Sequence, residues 1–174
     1  MTGRSPRVAG REATIVHPGG RNDPPWIKVR SQRNADGSES HVWERWIAFS
    51  TEPLYLALFA RWDPGMIVRR HGHYSPHVLT VLAGSLRCGD ELCEPGAHIE
   101  LPLGAAFGPF VAGPHGVELY EVMMGDPRSW SDEPEVMVEV LAEHGVEPLP
   151  DPPIELPGGL EDLRAVFTRG ASDA

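Results

Sequence analysis

The hydrophobic pattern changes period several times along the chain, and nearly every change is marked by glycine or proline. Residues 26–33 alternate, with Trp26, Lys28 and Arg30 opposed to Ile27, Val29 and Ser31, which predicts a short strand followed by a loop over 34–38. Residues 41–50 bring Val42, Trp43, Trp46, Ile47 and Phe49 together without a clean period, so strand and helical turn both stay open. Residues 54–62 are dense in apolar side chains and predict a buried strand, stopped by Asp63-Pro64-Gly65. A further strand runs into His71 and His73. After Tyr74-Ser75-Pro76 comes a run in which His77, Leu79 and Val81 share one face, and Ala83-Gly84 reads as its closing turn. Residues 85–88 and 91–94 predict a hairpin. Ala97, Ile99 and Leu101 alternate with His98 and Glu100, which turns His98 to solvent, and 113–116 read as the turn into a last strand over 117–124.

Short strands cut by Gly and Pro predict an all-β fold, an antiparallel sandwich or barrel, over residues 25–125. Residues 1–24 are polar, carry neither period and predict a flexible arm. Residues 126–174 form an extension: Ser131 or Asp132 caps a helix over about 134–144, Gly145 ends it, and a proline-rich stretch over 148–159 leads to a short helical tail over 160–168.

The chemistry concentrates between residues 65 and 84. His71 and His73 stand two apart on a strand, so both imidazoles leave one face. His77 heads the next strand, which places three neutral imidazoles either to hold one metal ion from two adjacent strands or to form a hydrogen-bonded set without metal. Three protein ligands leave coordination positions open, which points to chemistry rather than a closed structural site. Arg69 shares the face of His71, either to pair with a substrate carboxylate in the cavity or to reach water at the rim. Tyr74, between the ligands, either offers a hydroxyl for acid-base work or covers the mouth. Ile67, Leu79, Val81, Phe107, Phe110 and Met123 line the substrate pocket or fill the core. His115 is a minor candidate for a fourth ligand. Glu118 and Glu121 lie on opposite faces of the last strand, and the pattern does not say which points inward.

Gly65, His71, His73 and Gly84 resemble the first motif of the cupin family, and Gly96, Pro102 and Gly104 resemble the second, in register. The resemblance covers about residues 54–124. It implies a double-stranded β-helix, the cupin jelly-roll barrel, with the arm and helical extension as appendages, and commonly a homodimer. His77 stands where the family usually has its glutamate, and Phe107 where it has the histidine of the second motif. On that reading Phe107 becomes an apolar wall, and an ion without the glutamate keeps its full charge and favours an acidic or oxygen-rich substrate. The resemblance makes a mononuclear Fe(II) dioxygenase-like oxidoreductase the leading expectation. A Zn, Ni or Mn isomerase, cyclase or lyase is the second, and a non-catalytic small-molecule sensor the third.

Composition narrows the partners. With 15 basic against 25 acidic residues the net charge is −10, which disfavours nucleic acid and anionic membranes. The first twenty residues lack an apolar core and no apolar run is long enough to span a bilayer, so a cytoplasmic protein with Cys88 and Cys93 as free thiols is expected.

Overall fold

Three long strands open the fold as an antiparallel meander: β1 (Ile27–Arg33), β2 (Glu39–Thr51) and β3 (Leu54–Trp62). The computed structural model describes residues 15–17, 20, 23–51, 53–132 and 134–152. The arm expected over 1–24 lies mostly outside the described residues, and the tail helix over 160–168 entirely so. The stretch that the pattern left undecided is the middle of β2. It pairs with β3 along its length, but the register slips between Trp46 and Ala48, which exchanges the inward and outward sets and hides the period of two.

The remaining elements are β4 (Ile67–Val68), β5 (Gly72–His73), β6 (His77–Cys88), β7 (Glu91–Cys93), β8 (His98–Leu101), β9 (Phe110–Met123), β10 (Ser129–Trp130), α1 (Pro134–His144) and β11 (Glu147–Pro148). One sheet runs in the order β11-β1-β2-β3-β9-β6-β7, with β4 also on β9 and β8 also on β6; β5 and β10 pair separately.

Two expected turns are bends inside continuous strands. Ala83-Gly84 lies within β6 and residues 113–116 within β9. Gly84 and Gly116 have φ of 71° and 75°, and a Cβ on Gly84 would collide with the carbonyl of Gly116, so glycine lets the two strands bend together in contact. At this bend β9 keeps β6 on one flank and exchanges its other neighbour, from β3 along Val117–Met123 to β4 at Phe110 and Val111. The sheet thereby folds over itself into the expected jelly-roll barrel.

Inside the barrel, inward rows from β3 (Leu56, Leu58, Ala60, Trp62), β6 (Leu79, Val81) and β9 (Val117, Leu119, Met123) make the core. Those rows contain two buried polar members, His77 and Glu121. Gln32, 2% exposed, ties β1 to the segment leading into β4: its amide donates to Gly65 O at 2.9 Å and its carbonyl accepts from Ile67 N at 2.8 Å.

Outside the barrel, α1 begins with Pro134 and ends at Gly145, whose φ is 62°, with Val146 N donating to Leu141 O. In the β6–β7 hairpin Cys88 lies opposite Glu91 and Cys93 opposite Leu86, so the two cysteines are out of register, and both are free thiols. Among the described residues no helix is long and apolar enough to cross a membrane.

Candidate metal centre

Backbone contacts fix the first two histidines before any side chain is considered. His71 exchanges both main-chain hydrogen bonds with Phe107, at 3.1 and 3.0 Å, and β5 then pairs with β10, Gly72 against Trp130 and His73 against Ser129. Gly72 is required here, because a Cβ would collide with the carbonyl of Ala105 and the indole of Trp130. The expected strand through His71 and His73 is therefore two residues of regular ladder, held from outside by the segment over 127–130.

The ring orientations follow. His71 Nδ1 bonds to Arg69 O at 2.8 Å and His73 Nδ1 to Pro127 O at 2.9 Å. A carbonyl only accepts, so Nδ1 carries the proton in both rings and Nε2 is left as the basic nitrogen. Burial pushes the His71 imidazole down to about 3, reinforced by His73, and His73 down to about 4, reinforced by His77. Both are neutral at physiological pH, the form that ligates metal.

His77 stands beside them, with its ring centroid 4.6 Å from that of His73, and His73 is 5.1 Å from His71. His77 is 1% exposed, and its Nε2 lies 3.1 Å from Glu121 Oε2. β9 settles which carboxylate faces in. Val117, Leu119, Glu121 and Met123 point to the core, while Glu118 faces out and pairs with Arg61 at 3.0 Å. His77 Nδ1 is buried without a hydrogen-bond partner.

A cavity of about 180 Å³ opens onto this cluster. His71, His73 and Glu121 line it, opposed by the apolar side chains of Leu56, Leu58, Trp62 and Met123 and by the polar groups of Arg30, Glu44, Ser129 and Asp151. Of the six residues expected along the pocket, Met123 lies on its wall. Ile67 faces a separate recess beneath α1, because β4 turns it away from the histidines. Leu79, Val81 and Phe110 are core residues.

Phe107 is displaced from its expected role as an apolar wall. Its ring packs 5.3 Å from His71, 5.5 Å from His77 and 4.6 Å from Phe110, so it supports the histidines from the core side. Arg69 lines the recess beneath α1, with Nη2 3.4 Å from Ser129 Oγ, because the backbone leaves the ladder between Val68 and His71 and breaks the shared face. Tyr74 is 54% exposed on the outside, beneath the guanidinium of Arg128, since it follows inward His73 by one residue. His115 is exposed at the bend of β9, away from the cavity lining. His98 is exposed and bonds to Thr80 Oγ1, as its outward position predicts.

Arg30, Glu44 and Asp151 escape a reading by period. The register of β1 against β2 slips between Lys28 and Arg30, and the consecutive residues Val29 and Arg30 both reach the cavity. Glu121 had a usable signal, as the single charged residue in an otherwise apolar inward row.

The donor set suits a divalent transition metal in kind: imidazole nitrogens with one carboxylate. Imidazoles bound at about 2.1 Å to one ion place their ring centroids about 4.5–5.5 Å apart, and adjacent ligand atoms at right angles lie about 3.0 Å apart. The two ring separations and the His77–Glu121 distance fall at these values. Among the described residues no three His, Cys, Asp or Glu side chains stand together closely enough to hold a metal ion, so binding one requires these side chains to draw in. Glu121 also corrects an expectation about charge, since it returns to the cluster the carboxylate that His77 replaces in the motif.

No family model and no curated protein matches the chain. Among solved structures it is similar to a protein from Methylibium petroleiphilum PM1 provisionally called an acetylacetone dioxygenase, at 13% identity over 90% of this chain and 98% of that one, TM-score 0.54. It is similar also to an acetylacetone dioxygenase from Acinetobacter johnsonii, at 13% identity over 72% of this chain and 81% of that one, TM-score 0.50. An RmlC-like cupin protein from Ralstonia eutropha JMP134 aligns at 14% identity over 75% and 90% of the two chains, TM-score 0.48. At these identities the likeness is one of fold.

Proposed function

We propose that this chain, which has the cupin fold, is a mononuclear metal-dependent enzyme acting on a small organic molecule in the barrel cavity. The observation that carries the reading is the clustering of neutral His71 and His73, with their Nδ1 atoms anchored on carbonyls, beside the buried His77–Glu121 pair. His71, His73, His77 and Glu121 are the ligands in this reading. A divalent ion supplies Lewis-acid polarisation of substrate oxygens and, as Fe(II), electron transfer with O₂. Fe(II) is favoured, with Zn, Ni and Mn as the alternatives.

The protein's own contribution is position and exclusion. Carbonyls of Arg69 and Pro127 hold two imidazoles in the ligating tautomer. Phe107 and Phe110 fix the rings from the core side, and the apolar walls exclude water and strengthen every charge interaction within. A cytoplasmic homodimer remains part of the proposal.

The fold neighbours that are called acetylacetone dioxygenases support an oxygenase as the reaction class. The test is metal analysis of the purified chain combined with oxygen uptake on diketones, flavonols, catechols and thiol acids. About one iron per chain with substrate-dependent oxygen uptake is expected. Redox-inactive metal without uptake would instead identify a Lewis-acid isomerase, cyclase or lyase, and protein that takes up no metal would identify a binding module.

A further inference from the structure

Among the described residues Arg30 is the one cationic side chain on the wall of the cavity that His71 and His73 line. Its guanidinium is half-buried and its Nη1 lies 3.8 Å from Asp151 Oδ2, a loose pair beyond hydrogen-bond distance, with the two side chains 34% and 41% exposed. Asp151 reaches this place through the chain that follows α1. β11 pairs Glu147 with Arg33 and Pro148 with Gln32, and Leu149 N donates to Ser31 O, so the segment runs antiparallel along the edge of β1 and delivers residue 151 beside residue 30. Burial lowers the pKa of both His71 and Arg69, and the positive charge of Arg30 adds to each.

We infer that Arg30 is the specificity-determining residue of this site, an anchor for a substrate carboxylate, and that Asp151 is its resting counterion, displaced when such a substrate enters. The inference rests on reading the cavity as a substrate site. A guanidinium binds a carboxylate through two parallel hydrogen bonds, a geometry that the 3.8 Å contact with Asp151 does not provide. An incoming carboxylate therefore gains contacts that Asp151 leaves unmade. The other end of the molecule would face His71, His73 and Glu121, and the apolar side chains between favour a short uncharged body. The substrate class is a small carboxylic acid carrying a second oxygen function, such as a 2-oxo or 3-oxo acid.

The test uses the full chain, as purified and again after chelator treatment, with 2-oxobutanoate as the anionic probe and pentane-2,3-dione as its uncharged counterpart, each titrated by calorimetry. The parent should bind the oxo acid at least about tenfold tighter than the dione. Arg30→Gln should remove that preference by weakening the oxo acid alone. Asp151→Asn should act in the opposite direction, tightening the oxo acid about threefold and leaving the dione unchanged, because it removes a competitor of modest strength. An oxo acid affinity that is unchanged in Arg30→Gln, or unchanged or lowered in Asp151→Asn, overturns the inference. Metal content measured on the same samples separates the two claims. Stoichiometric metal with no oxo acid preference refutes the anchor and leaves the metal reading standing, whereas an Arg30-dependent preference in protein that takes up no metal supports the anchor and refutes the metal reading.

Discussion

Replacing Glu121 by glutamine separates its two roles, as partner of His77 and as ligand, because the amide keeps the shape and one acceptor. Glu121 is 8% exposed, between Leu119 and Met123 in the inward row of β9, and its neighbours across the sheet are Leu58 and Leu79. In metal-free protein the glutamine carbonyl still accepts from His77 Nε2. A charge-assisted bond worth about 1.5–3 kcal/mol becomes a neutral one worth about 0.5–1.5 kcal/mol, a loss of about 1 kcal/mol. At this chain length that lowers the melting temperature by about 2–4 °C. Metal binding should fall much further. Substitution of a hydrogen-bond partner of a ligand already costs about 10–100-fold in affinity, so loss of a direct anionic ligand should cost at least about 100-fold. Glu121→Leu should bind metal no better and should lose a further 1–3 kcal/mol or so, because both nitrogens of His77 are then buried without a partner. Thermal melts of chelator-treated protein and competition titration against a chromophoric chelator read the two quantities independently. A glutamine variant that binds metal within threefold of the parent would remove Glu121 from the ligand set.

Phe107→Ala should cost about 3–5 kcal/mol and loosen His71 and His77 together, lowering the melting temperature by roughly 10 °C and reducing metal affinity in the same protein; unchanged metal affinity would show that the ring does not position the imidazoles. Gly72→Ala should force β5 from β10 through the contacts with Ala105 and Trp130, at a cost of about 1–3 kcal/mol, with metal content lost as well. Normal melting with full metal content would contradict the packing. In metal-free protein His71 and His73 hold folded-state values of about 3 and about 4, below the ordinary value of 6.5. The unfolded chain therefore binds protons that the folded chain refuses, and stability should fall as pH drops from about 6.5 towards 4. Urea titrations across that range should show the slope, and the double variant His71→Gln/His73→Gln should flatten it.

Much of the barrel was legible because one face of each strand is buried, and period two then carries through. β3, the inward set His77, Leu79 and Val81, the exposed position of His98 and the bounds of α1 all follow from local pattern and punctuation. The errors fall where glycine does something other than turn the chain. Gly84 and Gly116 occur in the middle of two long strands that touch at a bend, and the same residue type at the same spacing would equally suit a hairpin.

The site divided in a similar way. The clustering of His71, His73 and His77 was visible through spacing alone. Arg69 was assigned by counting along a strand whose ladder is interrupted between Val68 and His71, and Tyr74 by its place in the turn between the histidines. Arg30 and Asp151 depend on a register slip in β1 and on the segment after α1 running along the sheet edge, contacts between residues 121 positions apart in sequence, which no local pattern encodes.

The central claim is that one ion is held by side chains from β5, β6 and β9 and the bridge at His71. The direct measurement is metal per chain after anaerobic reconstitution and gel filtration, with the parent compared with His71→Ala, His73→Ala and His77→Ala. The parent should retain close to one transition-metal ion per chain, and each variant should lose most of it, since each removes one of four ligands from an open site. Near-stoichiometric metal in His71→Ala or His73→Ala would contradict the account, and retention in His77→Ala alone would reduce His77 to the hydrogen-bond partner of Glu121.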